Sequence, residues 1–378
     1  MSPILPGSTI GFLGGGQLGL MAAMAARALG YRVVVLDPDS SCAAASVADA
    51  ILTAPFDDPA AAEALAERCA VVTFEIERIG IQAAQAASRR APLRPGPGVL
   101  EVIQDRARQK AFLADRGAPL GAWAAVTNAS EAVAAAQAWN GPVRLKASRG
   151  GYDGRGQARA AGPEAAEEAF LSLGGVPCVV EQDLDLELEL SVLVARRPSG
   201  ETVSYPAARN WHEDGILSRS VMPGFLPADV EARACAIARH ISTELRVEGL
   251  LAVEFFLTRS GSLLVNELSP RPHNTFHATE TACATSQFEQ LIRAICDLPL
   301  GSTEIVRPTA LTNLLGDLWL GPAAPDLAAA LACPGVALRL YGKAPRPNRK
   351  LGHLLATAST PRAALRRVSE ARLLLGPV

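Results

Sequence analysis

Two glutamates frame the chemistry open to this chain. Glu254 and Glu267 lie in two apolar runs, Leu250–Leu257 and Ser262–Leu268, separated by Ser260-Gly261. Such runs around Ser-Gly read as a β-hairpin, and a two-residue turn there sets Glu254 directly opposite Glu267. A three-residue turn with a bulge at Gly261 shifts that register by one. Facing carboxylates repel across a ladder, and a divalent cation between them removes the cost. One or two carboxylates plus nucleotide phosphates are the ligands that suit Mg²⁺. The bland alternative is a pair of acids on an exposed face. Asn266, Arg271, His273 and Asn274 crowd the same strand end, which favours a ligand site over packing alone.

A second group lies about a hundred residues upstream. Lys146 closes an apolar strand and is followed by GGYDGRGQ, Gly150–Gln157. A loop this rich in glycine can fold its backbone N–H groups over phosphates. The pattern GxxxxGK[ST] is absent, so it is not a P-loop, and an ordinary flexible loop is the competing reading. The chain has only four lysines, Lys110, Lys146, Lys343 and Lys350, against many arginines. A lysine in such a composition marks a place that wants a compact ammonium. A strand lysine, a glycine-rich cover and a distant carboxylate pair together make an ATP–Mg²⁺ site of a non-Walker kind.

The elements that must position these groups follow from periodicity. Thr9–Leu13 reads as a strand, GGGQLG (Gly14–Gly19) as a turn, the run to Leu29 as a helix and Tyr31–Asp37 as a second strand. This βαβ opening satisfies GxGxxG with an acid, Asp37, eighteen residues on, which suggests a dinucleotide site weakly. The glycines serve equally well for close approach of another ligand or domain. Glu75 and Glu77 end the strand Ala70–Phe74, where open α/β sheets bind ligands. The Pro/Gly cluster Ala91–Gly98 reads as a linker. Beyond it come a basic helix (Gln104–Arg116), an alanine-rich helix (Ala129–Trp139), the helix Pro163–Leu173 and the strand Val176–Gln182. Asp183–Ser191 alternates acid and leucine as a half-buried strand does, and Pro227–Leu245 is an amphipathic helix. Ser286–Cys296 is helical, and a Pro/Gly-rich piece from about residue 300 contains YGKAPRPNRKLGH, Tyr341–His353.

With 378 residues, 49% apolar, the chain has material for two or three domains. A net charge of −2 gives no footprint for nucleic acid or an anionic membrane. Seven scattered cysteines without metal spacing fit a reducing cytoplasm. No signal peptide is expected, and Leu18–Leu29 is too short to span a bilayer.

In their order, GGGQLG, TFEIE (Thr73–Glu77), GGYDGRGQ, NWHEDGIL (Asn210–Leu217), NELSPRPHN (Asn266–Asn274), TSQFEQ (Thr285–Gln290) and YGKAPRPNRKLGH resemble the N5-carboxyaminoimidazole ribonucleotide synthases of the ATP-grasp superfamily. The resemblance runs from about residue 9 to 355. It implies an α/β and α+β architecture: a Rossmann-like pre-ATP-grasp domain (1–100), an ATP-grasp domain (101–300, with a lid at about 110–182 and a core at 183–300) and a small C-terminal domain (301–378). The implied activity is ATP- and bicarbonate-dependent carboxylation of 5-aminoimidazole ribonucleotide, with Mg²⁺, by a cytoplasmic homodimer. Alternatives are a formate-dependent ligase of the same superfamily, a nucleotide binder without turnover and, least favoured, a dinucleotide-dependent oxidoreductase.

Carried over residue by residue, the resemblance puts Arg106 and Lys146 on ATP phosphates. The lid loop over them is Gly151, Tyr152, Asp153, Gly154, Arg155, Gly156 and Gln157. Glu181 and Gln182 fall in the adenine hinge and Glu189 on the ribose, while His212, Asn266 and Glu267 lie beside the nucleotide. Glu254 and Glu267 become the metal ligands. The ribonucleotide falls to Gln17, Leu18, Glu75, Tyr152, Asp153, Arg155 and His273, with Lys343, Arg349 and Lys350 about its phosphate. Arg271, with Tyr152, Asp153 and Asn274, is the implied catalytic group. Bicarbonate attacks the γ-phosphate, and the lid shields the labile carboxyphosphate from water. Three departures stand out. Leu20 replaces an Arg; Phe276 and Ala278 replace the Gly and Trp of Ser-Gly-His-Trp; and Asn348 replaces a Gly, in a position where Asn can adopt a left-handed backbone.

Overall fold

The computed structural model describes residues 2–151 and 156–376. Its first unit is the sheet that the βαβ pattern predicts. Strands β1 (Thr9–Leu13), β2 (Arg32–Asp37), β3 (Ala50–Thr53) and β4 (Val71–Phe74) pair in parallel in the order β3-β2-β1-β4. Burial along β1, β2 and β4 is nearly continuous, as a sheet covered on both faces requires, while the edge strand β3 is only partly covered. The helix Gln17–Ala28 starts at Gly16, just beyond the carboxyl end of β1. Pro97, in the linker cluster, opens the helix Pro97–Ile103 instead of prolonging the loop.

A small antiparallel sheet follows, formed by β5 (Trp123–Val126), β6 (Val143–Ala147), β7 (Gln157–Ala160) and β8 (Cys178–Gln182) in the order β5-β8-β6-β7. The helices Ala129–Trp139 and Pro163–Ser172 contribute to its core. This layer carries Lys146 at the end of β6 and Glu181 on β8.

The large sheet holds β9 (Leu186–Arg196), β10 (Thr202–Ser204), β11 (Ala208–Glu213), β12 (Ile216–Met222), β13 (Gly249–Thr258), β14 (Leu263–Ser269), β15 (Thr309–Leu315), β16 (Val336–Leu340) and β17 (Lys350–Thr357). Its order is β14-β13-β9-β11-β12-β15-β17-β16, with β10 beside β9. The strands after residue 300 therefore extend the same antiparallel sheet through the β12–β15 pair. The amphipathic helix Ala228–Glu244 buries Val230, Ala234, Ala238 and Ile241 beneath it.

The β13–β14 hairpin differs from a two-residue turn. Thr258 N–H bonds the Ser262 carbonyl at 3.0 Å, leaving Arg259-Ser260-Gly261 as the loop, with Gly261 at φ +83°. Near the turn the pairs are Leu257–Leu263, Phe256–Leu264 and Phe255–Val265; farther out they are Val253–Leu268 and Ala252–Ser269. Both registers thus occur, and the slip between them falls at Glu254. That residue faces Asn266 and Glu267 together, the two-against-one arrangement of a β-bulge.

Candidate active site

The three layers enclose one cavity of about 1770 Å³, lined from all of them. One of its walls is built on opposite charges. Asp105 caps the helix Arg106–Asp115 through Ala107 and Arg108 N–H, which fixes Arg106 as the first helical residue. The Arg106 guanidinium reaches Glu267 at 2.7 Å. From the small sheet, Lys146 Nζ meets the Glu181 carboxylate and donates to Asn266 Oδ1 at 3.1 Å. Lys110, one helical turn beyond Arg106, takes the other Glu181 oxygen at 2.6 Å. Burial works to raise the Glu181 pKa, but the two ammonium groups more than offset it and hold the carboxyl at about 2. Two cations sharing one carboxylate leave a net positive charge, a setting for phosphates.

The bulge turns both Asn266 and Glu267 to the cavity beside Glu254. Glu254 Oε1 meets His273 Nε2 at 3.1 Å, and its Oε2 accepts from Asn266 Nδ2 at 3.4 Å. Burial alone would raise the Glu254 pKa; the hydrogen bond and charge of His273 outweigh it and keep the carboxyl low. Among the described residues no cluster of three His, Cys, Asp or Glu could cage a metal. Two carboxylates on one rim still suit Mg²⁺, which completes its shell with phosphate oxygens and water. Next along the rim, Glu189 Oε2 lies 2.7 Å from His212 Nδ1 as an ion-pair partner. Burial opposes the His212 imidazolium, yet Glu189 shifts it upward overall.

The opposite wall belongs to the first sheet. Glu75, just past β4, accepts from Gly16 N–H at 3.1 Å and Gly19 N–H at 3.3 Å. Burial raises its pKa against the pull of Lys343 and Arg271. Gln17 Oε1 accepts from Lys343 Nζ, and Gln17 Nε2 lies 3.5 Å from Asn274 Oδ1. Arg271 is tied to Glu77 at 2.7 Å. Lys350 is buried at the start of β17, and Arg349 donates to the Ala344 carbonyl at 3.1 Å.

The remaining sequence-derived positions sort as follows. Gly151, Gln157 and Gln182 line the cavity, and Gly156, at φ +70°, bonds its carbonyl to Ala147 N–H. Leu18 lines the cavity from the buried core. Tyr152, Asp153, Gly154 and Arg155 lie outside the described residues. The dinucleotide fingerprint is corrected. Asp37 accepts Gly15 N–H at 2.8 Å and Glu75 takes Gly16 and Gly19, so the chain's own carboxylates occupy the donors a pyrophosphate would need. Phe276 points away from the cavity. Its ring is fully buried 6.3 Å from Tyr205, in the same core as Ala278, with Leu20 packed against that core. Asn348 has φ +60°. Sequence reading missed Lys110; its one signal was its rarity as a lysine.

Comparison with known proteins fits this geometry. Family models match along the chain in order: a ribonucleotide synthetase preATP-grasp domain (residues 7–104), an ATP-grasp domain (111–288) and a phosphoribosylaminoimidazole carboxylase C-terminal domain (309–367). The N5-carboxyaminoimidazole ribonucleotide synthase of Brucella melitensis is 40% identical over 92% of this chain and 96% of its own. The chain belongs to the N5-carboxyaminoimidazole ribonucleotide synthase family. Family members solved by crystallography superpose closely. The ADP complex of one such synthetase gives a TM-score of 0.93 at 38% identity, covering 99% of this chain and 98% of that one. The Aspergillus clavatus enzyme, solved with ADP and 5-aminoimidazole ribonucleotide, gives 0.89 at 31% identity over 97% and 98%. As a synthase of this family the chain is an ATP-grasp ligase of purine biosynthesis, with its cavity where the three family segments meet.

Proposed function

We propose that this synthase transfers a carboxyl group from bicarbonate to the exocyclic amine of 5-aminoimidazole ribonucleotide, driven by ATP and passing through carboxyphosphate. The observation that carries the reading is the opposition of two walls across one cavity: Arg106, Lys146, Glu254 and Glu267 on one side, Gln17, Glu75 and Lys343 on the other. Lys146 and Arg106 bind and orient phosphate oxygens. Glu189 and His212 position the ribose, and Glu181 and Gln182 lie beside the adenine. Glu254 and Glu267 would hold Mg²⁺, which supplies charge neutralisation at the transferring phosphoryl group. Lys343, Lys350 and Arg349 receive the ribonucleotide phosphate, and Leu18 and Gln17 support its ring. Glu75 accepts a hydrogen bond from the substrate amine. Arg271, Asn274 and His273 stabilise the carboxylate as it develops negative charge, and Gly151, Gly156 and Gln157 belong to the cover that excludes water.

A homodimer in the cytoplasm completes the reading. No described helix is long and apolar enough to cross a membrane, and all seven cysteines are unpaired, which suits a reducing compartment. The homodimer rests on the family alone. A division at residues 100 and 300 into pre-ATP-grasp, ATP-grasp and C-terminal segments belongs to the same proposal. The test is ADP release with Mg²⁺–ATP, adding bicarbonate and the ribonucleotide singly and together. Release that needs the ribonucleotide and rises with bicarbonate supports the carboxylase; formate replacing bicarbonate as the required acid would overturn it.

A further inference from the structure

Behind the wall that carries Asn274 lies a buried chain of amides and imidazoles whose polarity can be assigned from both ends. Gln287, the first residue of the helix Gln287–Ile295, is fixed by backbone groups. Its Oε1 accepts His273 N–H at 2.8 Å, and its Nε2 donates to the His273 carbonyl at 3.0 Å. A backbone N–H can only donate and a carbonyl can only accept, so the orientation of this amide is settled. The second Nε2 hydrogen of Gln287 faces His277 Nδ1 at 3.1 Å. Nδ1 must accept, and a neutral His277 therefore carries its proton on Nε2. That N–H donates to Asn274 Oδ1 at 3.1 Å.

The other end agrees independently. Lys343 has only hydrogens to give, so the Gln17 atom it meets is Oε1. Gln17 then offers Nε2 toward the same Asn274 Oδ1. Both directions converge on one oxygen with two acceptor sites, leaving the Asn274 amide N–H₂ to serve the cavity that the residue lines. The His277 ring is stacked between His353, 4.6 Å away and inclined 16°, and Phe288, 5.6 Å away and inclined 23°. His353 is held in turn by Tyr341 Oη at 2.6 Å from its Nδ1. The imidazole is fully buried and stacked on two rings, which favours a single orientation.

We propose that His277 is a positioning residue for the carboxylation. Held in its Nε2–H tautomer by Gln287, it fixes the Asn274 side chain with the N–H₂ group toward an acceptor oxygen of the substrates. This rests on the carboxylase reading given above. In that reaction an amide turned the other way would present a lone pair to a developing carboxylate and repel it.

Two measurements test it. In full-length protein labelled with ¹⁵N-histidine, His277, assigned by its loss in His277→Gln, is expected as the neutral Nε2–H tautomer. A proton on Nδ1 would overturn the proposal whether or not the enzyme turns over. In steady-state assays, His277→Leu is expected to lower kcat/KM for the ribonucleotide by about 10-fold, with KM for ATP little changed. His277→Gln, which restores a donor near the Nε2 position, should recover activity to within about 3-fold of the parent. In an Asn274→Ala background, His277→Leu should add less than about 2-fold, because its partner is gone. Independent, multiplying losses would mean that His277 serves packing alone, and the role would be refuted. Should His277→Leu fail to fold, His277→Gln in the two backgrounds and the tautomer still decide. Absence of ribonucleotide-dependent turnover in the parent protein would count against the carboxylase reading, leaving the tautomer result to stand separately.

Discussion

Replacing Gly16 by alanine probes the substrate wall without straining the backbone. Gly16 has φ −69°, open to any residue, and caps the helix Gln17–Ala28. A Cβ there meets Glu75 Oε1 at 2.6 Å, Oε2 at 2.9 Å and Cδ at 3.1 Å. The nearest contact falls short of ordinary van der Waals separation by roughly 0.7 Å, so the carboxylate must retreat by about that much. In doing so it stretches both backbone hydrogen bonds, from Gly16 and Gly19. Hydrogen bonds to a charged group contribute about 1.5–3 kcal/mol each. Lys343 and Arg271, which already pull on this carboxylate, retain part of that, and a stability loss of about 1–2 kcal/mol is expected. The functional effect is larger, because a displacement near 1 Å at a reacting group costs about 100-fold. Expected is a fall of about 10- to 100-fold in kcat/KM for the ribonucleotide, with KM for ATP within about 2-fold of the parent. Coupled ADP-release assays at varied ribonucleotide measure it, with urea unfolding as the control. A folded Gly16→Ala protein within about 3-fold of parental kcat/KM would refute a substrate role for Glu75.

On the wall proposed to hold ATP, Lys110→Met leaves Glu181 to Lys146 alone. Burial already depresses Lys110, so removing its charge offsets much of the lost pairing. Stability should move by only about 1 kcal/mol, while KM for ATP rises about 5- to 10-fold, as ATP titration would show. The stacked histidines predict a pH dependence. Burial, aided by Arg339, lowers His353 from its ordinary 6.5 to about 3. The unfolded chain therefore takes up a proton below 6.5 that the folded chain refuses until near 3, and stability falls as pH drops through that window. The slope is about 1.4 kcal/mol per pH unit for this group, and His277 adds in the same direction. Urea midpoints at pH 7 and 5 should diverge less in His353→Gln. Gly352→Ala would drive a Cβ to 2.3 Å from the Arg339 carbonyl oxygen, a backbone atom that cannot step aside. A cost of about 2–3 kcal/mol is expected in chemical denaturation, whereas Gly98→Ala, with nothing within 4 Å, should be near neutral.

The elements of the first unit were legible because their signals are local: β1, the glycine turn and β2 follow from periodicity and turn chemistry within thirty residues. The carboxylate pair was legible as two acids brought to one place and only half legible in its register. Gly261 left the three-residue loop open only as an alternative to the two-residue turn, and the bulge at Glu254 has no signature in residue type; it arises where two registers meet. Lys110 escaped because its role depends on Glu181, some seventy residues away on β8. The GxGxxG match misled for a related reason. Whether its N–H groups are free is decided by Asp37 and Glu75 folding back on them, and spacing cannot show that. That Phe276 stands where relatives have Gly does not tell which way its ring turns; the short 3₁₀ turn Asn274–Phe276 sends it to Tyr205.

The continuity of the large sheet constrains how this chain can be cut. Family segments divide between residues 288 and 309, but β12 hydrogen-bonds straight across that gap to β15. A protein ended there would keep the wall of Arg106 and Lys146 and lose the neighbour of β12, opening four paired positions, Arg219 to Met222, along a bare sheet edge. Such edges recruit other chains. The last seventy residues thus act as a seal as well as the source of Lys343, Arg349 and Lys350 in the cavity wall. Transplanting them between relatives requires a matched strand seam, and a free linker would not suffice.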